Sequence, residues 1–185
     1  MAQPQAISHP LWTVVGEGSI GLLAAGRLSL ASYPVQLIRR QPQPLSFRLQ
    51  TADTEFSLIL PAAENNVLQY VFIPVKAYDT VAVIQQLLPL LSDDAQVVLS
   101  HNGMGTIEQI LPLLHAEQGL WFLSTSHGAF KPDATTVLHT GIGQSVLGAL
   151  NQAALLKQSE VEQAMQLIKQ AIDQAGFTWT NQLIQ

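Results

Sequence analysis

An α/β fold with a mainly parallel sheet and late antiparallel additions is what this 185-residue sequence predicts, and three observations carry the prediction. Short apolar runs alternate with amphipathic stretches of helical period, which is the pattern of strands joined by crossover helices. The first run leads into Val14-Val15-Gly16-Glu17-Gly18-Ser19-Ile20-Gly21, a glycine turn between a strand and a helix. The chain is 48% hydrophobic, enough to bury one substantial core.

In chain order, Leu11 to Val15 reads as a buried strand, and Leu22, Leu23, Ala24, Ala25 and Leu28 give the following helix a mostly apolar surface. Pro34 ends that helix near Ser29 to Ser32, and Val35 to Ile38 restarts as a strand. Gln41-Pro42-Gln43-Pro44 cannot continue a central strand and is a turn. Leu45 to Gln50 and Phe56 to Leu60 then read as a hairpin, followed by a strand over Tyr70 to Ile73 that stops at Pro74. Asp79 or Thr80 caps a helix with Val83, Ile84, Leu87, Leu88 and Leu91 on its apolar positions. Asp93-Asp94 turns the chain into the strand Gln96 to Ser100, and Thr106 caps a helix towards Leu114. Leu120 to Ser124 is a further strand. Val137 to His139 and Ser145 to Leu150 read as a late antiparallel hairpin around Gly141 and Gly143. Ser159 to Ala175 forms a helix that turns Val161, Ala164, Met165, Ile168 and Ile172 to the core, Gly176 stops it, and Phe177 to Thr180 is a short strand.

The strand, glycine turn and helix at the N-terminus have the form of a Rossmann-type dinucleotide-binding unit. Gly16 makes the tight turn, Gly18 lets a pyrophosphate approach the backbone, and Gly21 lets helix and sheet pack closely. Glu17, Ser19 and Ile20 fill the same turn, and the anion sits on unpaired helix N–H groups. NAD-selective domains place a carboxylate about twenty positions beyond the glycines, on the adenosine ribose. Here the second strand ends in Ile38-Arg39-Arg40, and no Asp or Glu occurs between Glu17 and Asp53. Two guanidiniums there fit the 2'-phosphate of NADP(H), with Arg40 as principal contact and Arg39 alternating or assisting.

Lys76 and Asn102 each follow a predicted parallel strand, so both belong to the crevice at the carboxyl ends of the sheet. Lys76 would put positive charge near a carboxylate or phosphate, and Asn102 would donate and accept hydrogen bonds beside nicotinamide or substrate. The plainer readings are a surface lysine and a turn-forming asparagine. His101 reads as an acid or base or, more commonly, as a structural histidine. His127 could approach the same crevice, as could Ser124, Thr125 and Ser126, with no Ser-His-Asp arrangement behind them.

Composition excludes several classes. With 8 Lys plus Arg against 13 Asp plus Glu and a net charge of -5, the chain lacks the basic footprint of a nucleic-acid or anionic-membrane binder. It has 0 Cys, so disulfides, thiolate catalysis and cysteine metal sites are out. The 5 His are scattered without ligand spacing, so no metal is expected. No export segment or long apolar run is visible, which makes a cytoplasmic protein the expectation.

Taken in order, the GEGSIG turn, the basic turn over Val35 to Pro44, Val75-Lys76-Ala77 and His101-Asn102-Gly103-Met104-Gly105 resemble the N-terminal cofactor domain of the ketopantoate reductase (2-dehydropantoate 2-reductase) family. Ser124 to Gly128 and His139 to Gly148 agree more loosely. The resemblance implies NADPH-dependent reduction of ketopantoate to pantoate on the route to pantothenate and coenzyme A. It places the pyrophosphate on Gly16, Gly18 and Gly21, the 2'-phosphate on Arg40, and Lys76 and Asn102 in the cofactor and substrate cleft. Residues 8–185 then form one NADP-binding domain. Family members continue into a helical second domain whose early lysine is the principal general acid, and the chain is expected to be a fragment lacking it. Lys76 is therefore not the sole proton donor, and the isolated chain is expected to be inactive. The alternatives are an NADP-dependent reductase of another small 2-keto acid and a non-catalytic NADP(H)-binding interaction protein. Assembly as a homo-oligomer is left open by these residues.

Overall fold

The computed structural model describes residues 9–64, 67–103, 105–141, 143–170 and 177–180, the last four and 167–170 by their backbone. The first βαβ unit is β1 (Trp12–Val15), α1 (Ser19–Leu30) and β2 (Val35–Ile38). Next come β3 (Leu45–Gln50), β4 (Glu55–Leu60), β5 (Leu68–Ile73), α2 (Ala77–Leu87) and β6 (Leu91–Leu99). The chain continues through α3 (Ile107–Ile110), β7 (Gly119–Thr125), β8 (Gly128–Asp133), β9 (Thr136–Gly141) and β10 (Ser145–Ala149). It closes with α4 (Gln152–Leu156), α5 (Gln158–Gln170) and β11 (Phe177–Thr180).

A 7-stranded sheet runs in the order β11-β10-β7-β6-β5-β1-β2. From β2 to β7 every pairing is parallel, and β10 joins β7 antiparallel. Alternation along its strands sends side chains to two cores. In β5, Tyr70 and Phe72 join Trp12, Val14, Leu22, Leu23 and Trp121 on one face, while Val71 and Ile73 join Ile84, Leu87, Val97 and Ile110 on the other. A polar group buried in a sheet is costly unless it finds a partner, and two such groups do so across neighbouring strands. Gln36 Nε2 donates to Thr13 Oγ1 at 2.8 Å, and Trp121 Nε1 donates to Gln96 Oε1 at 2.9 Å.

A 4-stranded sheet, β4-β3-β9-β8, lies on the other side of α1. The predicted hairpin is β3 with β4, in register from Leu45↔Leu60 to Gln50↔Glu55. Because α1 is enclosed by two sheets, its Leu22, Leu23, Ala24, Ala25, Gly26 and Leu28 are all buried, which is why its sequence is apolar nearly all round. A Cβ on Gly26 would come within 3.0 Å of Leu49 and Leu58 side chains of the second sheet.

Several local expectations are corrected. The strand over 137–139 and the one over 145–150 do not form a hairpin: β9 pairs with β8 and β3, and β10 pairs with β7 in the other sheet. The connection steps between sheets, and β8 supplies the antiparallel partner. Asp93 and Asp94 lie inside β6 rather than in a turn. Helix α2 begins at Ala77, ahead of Asp79 and Thr80, and Thr80 Oγ1 donates back to the Lys76 carbonyl at 3.0 Å instead of capping. Thr106 stands at the N-cap of α3 without a side-chain cap bond, since its hydroxyl meets His101 Nε2 at 2.9 Å. In α5, Val161, Ala164 and Met165 are buried as expected; the expected stop at Gly176 lies outside the described residues.

Candidate cofactor and substrate site

The glycine turn is fixed from both sides. Gly16 has φ +89, a left-handed conformation that favours glycine, and its N–H donates to the Ile38 carbonyl at 2.7 Å, tying the end of β1 to the end of β2. Gly18 is the N-cap of α1, with no side-chain cap bond and no acidic residue in the first turn. The helix therefore presents N–H groups and positive dipole to whatever anion approaches. A Cβ on Gly18 would meet nothing within 4 Å, so the space above the turn is open. At Gly21 the reverse holds: a Cβ would be 3.0 Å from Pro74 and 3.5 Å from Val14, so helix and sheet meet here at glycine distance. Gly16 thus makes the tight turn and Gly21 the close helix–sheet packing expected of them, and the backbone at Gly18 is open to approach.

On one side of the turn lies a cleft of about 590 Å³, lined by Glu17, Ile38, Arg39, Arg40, Asp79 and Gln86 among others. Arg40 is exposed on its rim. Arg39 is engaged: its Nε donates to Glu17 Oε2 at 2.7 Å, its Nη2 lies 2.6 Å from the same oxygen, and its Nη1 reaches the Gln43 carbonyl at 3.3 Å. Lys131, from β8, donates from Nζ to the Glu17 carbonyl at 2.8 Å and so fastens the turn to the second sheet. Sequence reasoning missed Lys131. Its strand contains Pro132, which disfavours a central strand, yet an edge strand tolerates proline.

On the other side lies a cleft of about 460 Å³ lined by Ile20, Lys76, Ser100, His101, Asn102, Thr125 and His127 among others. Lys76, Asn102 and Thr125 stand at the carboxyl ends of β5, β6 and β7, three adjacent parallel strands, and both Lys76 and Asn102 are exposed to it. Lys76 occupies the N-cap of α2, where its carbonyl accepts from the Asp79 N–H at 2.9 Å. A methyl group on Gly103 would overlap the Cβ of Ala77, so the loop carrying Asn102 and the start of α2 touch at that glycine.

The weaker candidates separate. Burial lowers the pKa of His101, whose ring bonds Thr106 and stands edge-on to Phe122 at 5.1 Å, an arrangement that favours the neutral ring. His127 is buried, and its Nδ1 accepts from the Gly143 N–H at 2.9 Å, which fixes that nitrogen as unprotonated. Of the three hydroxyls before it, Thr125 reaches the cleft, while Ser124 is exposed and Ser126 bonds the Gln144 backbone. Among the described residues no group of three or more His, Cys, Asp and Glu could hold a metal, and no helix is long and apolar enough to cross a membrane.

A doubly wound sheet with a glycine turn at its first crossover and clefts at its strand ends defines a Rossmann-type α/β domain. The model of the family described as "Ketopantoate reductase PanE/ApbA" matches residues 12–152, and the chain belongs to that family. It is 36% identical over 149 residues to the 2-dehydropantoate 2-reductase of Vibrio cholerae serotype O1, a match that takes in 75% of this chain and 47% of that protein. The chain thus spans about half the length of the curated relatives it matches. Among solved structures, the 2-dehydropantoate 2-reductase of Geobacter metallireducens superposes with a TM-score of 0.73 at 18% identity, over 91% of this chain and 58% of that one. D-mandelate dehydrogenase, solved with NADH and anilino(oxo)acetate, gives a TM-score of 0.73 at 16% identity, over 93% and 57%. At these identities the two structures speak to the fold.

Proposed function

We propose that this chain is the cofactor-binding half of an NADPH-dependent 2-dehydropantoate 2-reductase, which reduces ketopantoate to pantoate for pantothenate synthesis in the cytoplasm. The observation that carries the reading is the convergence of Lys76, Asn102 and Thr125 at one edge of the parallel sheet, beside an open glycine turn. Gly16, Gly18 and Gly21, with the backbone of Glu17, Ser19 and Ile20, hold the pyrophosphate, and Arg40, with Arg39, holds the 2'-phosphate. When bound, the nicotinamide supplies the hydride that adds to the keto carbon. Lys76 attracts the carboxylate of the 2-keto acid, and Asn102 donates its amide hydrogens to the cofactor carboxamide or the substrate. Both favour the charge that develops on the keto oxygen as it becomes an alkoxide. The proton that completes the alcohol comes from a general acid in a C-terminal helical domain, joined to this one in the full protein.

The test is NADPH oxidation with ketopantoate, measured on this chain and on the natural full-length protein. Turnover in the full-length protein alone is the expected result. If neither form oxidises NADPH in a ketopantoate-dependent way, the reductase reading falls; a strong preference for another 2-keto acid in the same assay would replace the substrate and keep the reaction class.

A further inference from the structure

The second strand carries no carboxylate at its end, yet the folded chain has one there. Glu17 comes from the glycine turn, and its Oε2 lies within 2.6 to 2.7 Å of two nitrogens of Arg39, the first residue after β2. The Glu17 side chain is 41% exposed while that of Arg39 is 11% exposed, and both residues line the cleft. Asp79 lines the same cleft. Two guanidiniums therefore face two carboxylates, and the cleft is far less positive than Arg39-Arg40 alone suggest.

A ribose 2'-hydroxyl and a 2'-phosphate meet this arrangement differently. The hydroxyl is a donor, and an ionised carboxylate is an acceptor with lone pairs to spare. The phosphate is largely dianionic at neutral pH, so it has little to donate and is repelled by Glu17. It must take Arg39 from its present partner or rely on Arg40 beside a negative charge. We propose that Glu17 is the residue that sets the cofactor balance of this protein: it engages Arg39, repels the 2'-phosphate and can accept from the ribose hydroxyl of NADH, so that the preference for NADPH is narrowed and both dinucleotides are accepted. The proposal rests on the reading of this cleft as the adenosine half of a dinucleotide site.

The experiment is a fluorescence titration of the natural full-length protein and its Glu17→Gln variant with NADPH and with NADH. Removing one nearby charge should tighten NADPH by about tenfold, while NADH is unchanged or weaker. Glu17→Ser, which also removes the charge, should shift the ratio of the two affinities the same way. If Glu17 merely fastens the turn, both dinucleotides weaken by the same factor because they share the pyrophosphate, and the proposal is overturned. An unchanged ratio overturns it as well. Failure of the unsubstituted protein to bind either dinucleotide would overturn the underlying reading of the cleft, a result distinct from the other two.

Discussion

The clefts on either side of the glycine turn are built by opposite means. The one at the ends of β1 and β2 is charged and largely local: Gly16, Glu17, Arg39 and Arg40 come from a single βαβ unit and carry an ion pair, joined by Asp79 and Gln86 of α2. The one at the ends of β5, β6 and β7 is assembled from distant segments and sets the cation Lys76 among hydroxyls, an amide and imidazoles. A local charged site can be retuned by one substitution. A convergent site depends on how its loops are wedged together, and is more easily broken by packing than by charge.

Gly103→Ala should therefore have the largest effect of the substitutions that probe this difference. The added methyl overlaps Ala77, and pushing α2 away from the Asn102 loop should destabilise the fold by roughly 1–3 kcal/mol, read as a lower urea midpoint. An unshifted midpoint would mean that the convergent cleft is looser than its contacts imply. Arg40→Ala should leave stability alone and weaken NADPH by about tenfold, the worth of a charge-assisted hydrogen bond, with NADH little changed. Equal losses for both dinucleotides would remove Arg40 from the 2'-phosphate role. The smallest effect concerns His101. Its folded pKa is lowered by burial, so below about pH 6.5 the unfolded chain takes up a proton that the folded chain resists. Stability should be full above that pH and decline as the pH falls through the folded value. Urea midpoints across pH 5 to 8, a range of about three units around the imidazole value, should flatten in His101→Asn; an unaltered pH profile would argue against a neutral structural ring.

The same division governs what could be read in advance. The βαβ unit was legible because turn chemistry and apolar runs are local signals: the glycine turn, β2 ending before Arg39-Arg40 and the β3–β4 hairpin all stand where they were expected. The placement of Lys76 and Asn102 was also legible, since both follow recognisable strands, and the structure brings them into one cleft. What could not be read depends on pairing across the chain. β8 is unreadable because Pro132 interrupts it, and with it went Lys131 and the division of β9 and β10 between sheets. The Glu17–Arg39 pair spans 22 positions, and nothing in either residue's neighbourhood announces the other.

The bond from Lys131 to the Glu17 carbonyl spans 114 positions, and this bears on the order in which the molecule is assembled. The glycine turn leaves the ribosome well before β8, so its fastening must wait until that strand has been made and docked. Closing so long a loop is an entropic cost that only the finished second sheet offsets. A nascent chain stopped before β8 would hold a turn of the right sequence and an unfinished shape, so competence to grip an anion should arrive late in synthesis, together with the strand that completes the second sheet.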